Sequence, residues 1–396
     1  MAPRRAEELR TCERILPAVS RTFALTIRVL PDPLRRPVTV AYLLCRLADI
    51  LEDASADDPR ERVLGLRTLA QILARIDAPA EEIAGSLEPA AAFALDDDSA
   101  LLWRERLAVA RAFSALPVEQ RQVIALWVRA MCSGMAEHVT REVPSPARVA
   151  VGTDAVELEA AVPPPARRTA SSGRTEASGP SFPATLAWQR VPFVLETMED
   201  LRGYAWVVAG TVGHLLTGLF LLHFGEAALP PERLRALAGH FGTGLQFTNI
   251  LQDLAEDRVR GWSYLPEELA RRHGTSVQRL DDPSRRREAL RVVGDLVGET
   301  AHRLDHALEY TLLLPRRAPR VRLFCLWPTF FALRTLVRIW GEENVLTGGE
   351  KVRISRAEVR RVVRETTAVC LSNTATRALY RRERGRLERR MAECPL

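Results

Sequence analysis

Two short acidic segments constrain this chain more than any other feature: Asp49-Ile50-Leu51-Glu52-Asp53 and Asp253-Leu254-Ala255-Glu256-Asp257. Each sets carboxylates at i, i+3 and i+4, which on a helix project from nearly one face. Like charges stacked one turn apart repel, so a helix without a ligand gains nothing from them. Both segments follow apolar runs, Ala41-Tyr42-Leu43-Leu44 and Phe247-Thr248-Asn249-Ile250-Leu251. Carboxylates so placed line a cavity more naturally than a solvated surface. Two acidic faces turned toward each other would hold hard divalent cations, and Mg²⁺ gripped by a few carboxylates usually carries substrate phosphates.

The rest of the chain is read as helices. Apolar residues recur at three and four through 60–76, 101–135, 200–222, 290–313 and 355–390, while strand signals are sparse. Helix-ending residues fall between these stretches, as in Pro31-Asp32-Pro33, Pro230-Pro231 and Pro315. The expected fold is all-α, a single large bundle around one core. That domain is expected to comprise residues 1–142 and 187–396. Between them, 143–186 is rich in Pro, Ala and Ser, has no apolar period, and reads as a disordered insertion. Tyr204 to Phe224 approaches the ~20 apolar residues that span a bilayer. Its Gly210, Gly213, Gly218, His214 and His223 instead suit a buried helix packed tightly around a cavity.

Composition narrows the partners. With 47% hydrophobic and 27% charged residues in 396, the chain has the make-up of a soluble globular protein. The formal net charge of +6 is concentrated at the end, where Arg353 to Leu396 holds 12 Arg against 5 Glu. Such a tail suits peripheral contact with an anionic membrane. It lacks the interleaved aromatics that stack on bases, so no nucleic-acid partner is expected. Six scattered cysteines form no CxxC pair, and Met1-Ala2-Pro3-Arg4-Arg5 runs into a charged helix. A cytoplasmic monomer with reduced thiols is the expectation. His138, His214, His223 and His240 show no ligand spacing and read as structural or surface residues.

Four elements, in order, resemble the squalene/phytoene synthases, the head-to-head prenyl transferases. Ser20-Arg21-Thr22-Phe23 looks like the family's opening element, and Tyr42 to Asp53 is similar to its first acidic helix. Tyr204 to Gly213 resembles its central tyrosine helix, and Gln246 to Pro266 its second acidic signature. The squalene synthase branch fits best, through Gly134-Met135-Ala136-Glu137, Arg322 to Pro328 and Asn344 to Arg353.

The resemblance implies the class I isoprenoid synthase fold with a central cavity, two farnesyl diphosphates as substrate, and Mg²⁺ and NADPH as cofactors. Asp49, Glu52, Asp53, Asp253, Glu256 and Asp257 would hold the metal. Ser20, Arg21, Arg46, Gln246, Asn249, Arg258 and Arg260 would serve the substrate, guanidinium suiting diphosphate because it donates in a fork. Phe23, Tyr42, Tyr204 and Phe324 would face an allylic cation, a cation–π contact worth ~2 kcal/mol or more when dry. Tyr204 matches the tyrosine that assists proton removal, although a phenol is an unusual base at neutral pH. Asn344, Lys351 and Arg353 would meet the nucleotide. The same chemistry without reduction would end at presqualene diphosphate, hydroxysqualene, dehydrosqualene or phytoene. Two departures stand out: Gln252 and Trp262 occupy positions where the family commonly has Arg.

Overall fold

The computed structural model describes residues 2–53, 59–87, 97–141, 193–259, 261–348 and 351–394. The expected insertion and Arg260 lie outside the described residues, as does the side chain of Arg21.

Two long helices carry the acidic segments at their C-terminal ends. The first acidic helix, Asp32–Asp53, buries Leu34, Val38, Ala41, Leu44, Ala48 and Leu51, a three-and-four spacing that makes one apolar stripe. The second acidic helix, Pro231–Val259, begins on a proline, whose missing N–H and fixed φ suit a first turn.

The first acidic helix lies in one apolar cluster, while the second spans two, with Leu234 and Phe241 in the first helix's cluster and Phe247 and Leu254 in the other. The first packs with helices Ala2–Val19, Pro59–Leu73, Arg106–Ser114 and Val118–Arg141. The second packs with Arg286–Leu313 and Pro319–Ile339. These last two helices join the clusters: Tyr310 and Phe324 belong to one, Leu304 and Phe330 to the other. The fold is all-α; a two-residue parallel pairing, Phe193–Val194 with Trp262–Ser263, is the described strand structure.

Three expected helices are subdivided. The stretch 101–135 is covered by Asp97–Arg104, Arg106–Ser114 and Val118–Arg141, the last beginning just after Pro117. The stretch 355–390 is Arg356–Val369 and Asn373–Glu393, where the Ser372 hydroxyl accepts from the Ala375 N–H and starts a new helix. The apolar period survives such breaks because the same face stays buried. The stretch 200–222 runs as Met198–Ala205, a π-helical turn Trp206–Gly210, and Thr211–Phe224.

Glycines let this third stretch lie backbone to backbone on the second acidic helix. A Cβ on Gly213 would stand 2.8 Å from the Ala238 carbonyl carbon, and one on Gly242 would stand 2.5 Å from that of Ala209. Met198–Phe224 is long and apolar enough to cross a membrane, but half of its most apolar window is buried inside the protein. The basic tail is partly consumed internally. Glu383, 1% exposed, accepts from Arg334, Arg382 and Arg386, and Glu365 also accepts from Arg334. Arg356, Arg360 and Arg364 stay exposed at i, i+4 and i+8 of one helix.

Candidate active site

The acidic segments occupy the wrong helix ends for carboxylates. A helix C-terminus carries a partial negative charge, so Asp and Glu there add to it, and cations are what such an end attracts. The chain supplies some from its own side chains. Arg46 Nη1 donates to Asp49 Oδ2 at 2.8 Å, and Arg62 Nη1 donates to the Glu52 carbonyl oxygen at 2.7 Å. Burial raises the Asp49 carboxyl above the usual range, with Arg46 opposing it. Glu52 is itself buried. On the second segment, the Lys351 ammonium bridges Asp253 and Glu256, the latter at 3.1 Å.

A pair of tyrosines lies between the two acidic ends. Thr197 and Asp200 form a capping box, each backbone N–H donating to the other's side chain at 3.0 and 3.1 Å. That box starts the helix carrying Tyr204. The preceding residues pin the stretch after the second acidic helix: Leu195 N–H donates to the Ser263 carbonyl at 3.3 Å, and Glu267 N–H to that of Leu195 at 2.9 Å. The result stacks Tyr264 on Tyr204, centroids 4.8 Å apart and planes at 19°, with the two hydroxyls 3.3 Å apart. His138 touches Tyr204 with ring centroids 4.5 Å apart.

These rings report on both acidic segments. Burial, then Glu52 and Asp53, push the Tyr264 phenol well up, and Asp257 adds to the rise. Burial and Glu52 likewise raise Tyr204. One ring pair therefore feels carboxylates from both helices, and both phenols stay protonated at neutral pH. His138 is pushed down to about 4 by burial, then by Arg141, so its imidazole is neutral. Tyr264 and His138 were not expected here. Tyr264 lies inside the sequence Gly261 to Pro266, where it could have been read; His138 showed no spacing to notice.

Other expected site residues divide. Ser20 caps helix Arg21–Val29 by accepting from the Phe23 N–H at 3.2 Å, and its hydroxyl also meets Tyr42. Phe23 and Tyr42 lie ring to ring at 5.3 Å, and burial pushes the Tyr42 phenol up to about 12. Tyr42 and Asp49 also sit on either side of Arg46, one helical turn away in each direction. Phe324 is buried edge-on against Phe220 at 6.1 Å. Gln246 is half-buried and Asn249 exposed.

Arg258, expected at the substrate, instead donates to Asp281 at 2.8 Å and to the Gln278 carbonyl. The guanidinium, one residue past Asp257, is held by the 278–281 segment. Gln252 spends its amide on the Val352 carbonyl at 2.7 Å. Trp262 stands in the short parallel pairing opposite Phe193. Beside the second acidic helix a cavity of about 500 Å³ is lined by Gln252, Glu256, Arg258, Asn344, Thr347 and Lys351 among others. Arg353 is exposed and does not line it.

The donor set fits a hard divalent cation. All six side chains offer carboxylate oxygen, both helix ends favour positive charge, and an ammonium already rests on two of the six. Among the described residues, no three His, Cys, Asp or Glu side chains stand close enough to hold a metal as they are now turned. Arg46 and Lys351 pair with three of the six carboxylates.

The model of the family described as squalene/phytoene synthase matches residues 16–358. The squalene synthase of Eremothecium gossypii is 28% identical over 350 residues, covering 87% of this chain and 65% of that protein. Squalene synthase LSS of Botryococcus braunii is 26% identical over 347 residues, covering 86% and 60%. The chain thus spans less than two thirds of the length of these relatives. Among solved structures, a ligand complex of TcSQS matches with a TM-score of 0.69 at 23% identity, over 97% of this chain and 96% of that one. A ligand complex of a dehydrosqualene synthase matches with a TM-score of 0.58 at 18% identity, over 92% and 96%. At those identities the likeness is one of fold.

Proposed function

The chain belongs to the squalene/phytoene synthase family, and from that premise we propose that it joins two farnesyl diphosphates head to head. The observation that carries this reading is the stacked Tyr204–Tyr264 pair, where carboxylates of both acidic segments, Glu52 and Asp53 from one and Asp257 from the other, help raise the Tyr264 phenol. A substrate with an anionic head and an apolar tail needs both charge and apolar surface, and the acidic segments with the neighbouring rings would supply them.

Asp49, Glu52, Asp53, Asp253, Glu256 and Asp257 would hold Mg²⁺, which when bound neutralises diphosphate and eases its departure. Arg46, paired with Asp49, would donate to a diphosphate oxygen. The rings of Phe23, Tyr42, Tyr204 and Tyr264 offer faces to an allylic cation, each worth ~2 kcal/mol or more when water is excluded. With its phenol kept protonated, Tyr204 acts by donating a hydrogen bond. Proton removal then falls to an anion close by, the departed diphosphate being the natural candidate.

Reduction is the finer part of the proposal. The cavity beside the second acidic helix would take NADPH, with Asn344 and Lys351 on its wall; the nucleotide supplies hydride when bound. Incubation with farnesyl diphosphate and Mg²⁺, with and without NADPH, followed by mass spectrometry of the hydrocarbons, tests both parts. Squalene formed only with NADPH is the expected outcome. A hydrocarbon product indifferent to NADPH refutes reduction, and products of fifteen carbons alone refute head-to-head coupling. Peripheral contact with an anionic membrane is proposed for the exposed Arg353, Arg356, Arg360 and Arg364. Pelleting with phosphatidylserine vesicles should then weaken steeply with salt.

A further inference from the structure

Lys351 and Val352 are fastened to the second acidic helix by two kinds of bond. One is ionic: the Lys351 ammonium lies on Asp253 and Glu256, with its side chain 21% exposed. The other is uncharged: Gln252 Nε2 donates to the Val352 carbonyl at 2.7 Å. Val345 and Leu346 are buried beneath, and Gly348 turns at φ +81°, where an added Cβ would stand 3.8 Å from that of Ala255. Lys351 is the sole lysine of the chain.

An ammonium and a divalent cation compete for the same two carboxylates, because each is drawn to the same negative charge and the two cations repel each other. We propose that Lys351 is an exchangeable internal counter-cation, displaced from Asp253 and Glu256 when a divalent cation binds the second acidic segment. The Gln252 bond involves no charge and is indifferent to that exchange, so the backbone stays attached at Val352 while the lysine side chain swings. The freed ammonium borders the cavity that Asn344 and Thr347 also line. An anionic ligand there gains its cationic partner only after the metal has arrived, so the exchange imposes an order of binding. Gln252, found where the family commonly has Arg, thereby acts as a positioning residue for Val352 and the preceding Lys351.

The inference rests on the metal-binding reading of the site, and the test separates the two. Because the chain holds one lysine, an acetylating N-hydroxysuccinimide ester modifies Lys351 and the α-amino group alone among its amines. The ratio of the two rates, read by peptide mass spectrometry, reports the freedom of Lys351 with an internal reference. Added Mg²⁺, compared with NaCl of equal ionic strength, should raise that ratio several-fold. Mn²⁺ binding followed by electron paramagnetic resonance should be about two- to thirtyfold tighter in Lys351→Met, as expected from removing two partly exposed salt bridges that compete with the metal. Lys351→Arg should keep the wild-type affinity. If Mn²⁺ binds but the acetylation ratio is unchanged or falls, the exchange is refuted and the metal site stands. If neither the wild type nor Lys351→Met binds Mn²⁺, both fall.

Discussion

Replacing Gly242 by alanine tests how the tyrosine-bearing stretch is held against the second acidic helix. A Cβ at that position would stand 2.5 Å from the Ala209 carbonyl carbon and 3.0 Å from the Gly210 nitrogen. Both are backbone atoms in the π-helical turn, so no side chain can rotate away and the helices must part. Overpacking of this kind costs ~1–3 kcal/mol, and more where backbone must move. The gain in helix propensity from Gly to Ala, ~1 kcal/mol, works in the other direction. A net loss of about 2 kcal/mol, set against an unfolding entropy of about 0.8 kcal/mol per kelvin for a chain of this size, lowers Tm by about 2–3 °C. Gly298→Ala is the control, since a Cβ there meets nothing within 4 Å and only the propensity gain remains. Thermal unfolding followed by circular dichroism at 222 nm compares the two. Gly242→Ala melting at or above the wild-type temperature would refute the close-approach reasoning. Activity adds a second readout, because parting these helices also shifts Tyr204.

Two further outcomes are expected. Asp53→Asn and Asp257→Asn should each abolish turnover of farnesyl diphosphate with the helical dichroism spectrum intact; full activity in both would remove the metal reading. His138 is buried and pushed down to about 4 from an unfolded value of 6.5. The unfolded chain therefore binds the extra proton between those values, so the stabilisation is complete above pH 6.5 and is lost as pH falls toward 4. Linkage puts the loss at about 3 kcal/mol. Urea midpoints at pH 4.5 and 7 should differ less in His138→Phe than in the wild type, and an equal difference would count against the assignment.

Much of the site was readable because its chemistry is local. Carboxylates at i, i+3 and i+4 share a helix face whatever the helix packs on, and the Gly210–Gly213 stretch announces tight packing without naming the partner. Other features were hidden because they depend on residues distant in the chain. Tyr264 joins Tyr204 only through the pairing of 193–195 with 262–263, and that register is not encoded in either segment alone. Arg258, one residue from Asp257, looked like a substrate ligand by proximity, yet Asp281 claims it. Lys351 looked like a nucleotide residue, and ninety-odd residues away along the chain two carboxylates hold it. Helix ends at Pro117 and Ser372 were missed because burial of one continuous face preserves the apolar period through a break.

By itself, then, the sequence determined the helices, the acidic faces on two of them, and the family to which the chain belongs. These are properties of spacing, and spacing survives any packing. Only the tertiary structure decided that both acidic segments end their helices, where the backbone's own partial charge sharpens the demand for cations, and that one pair of stacked tyrosines feels both. It also decided which cations the chain supplies itself: Arg46 within the first helix, and Lys351 from a remote segment on the second. Charge acts through space over a few ångströms, and which groups come within that distance is settled by packing rather than by order along the chain.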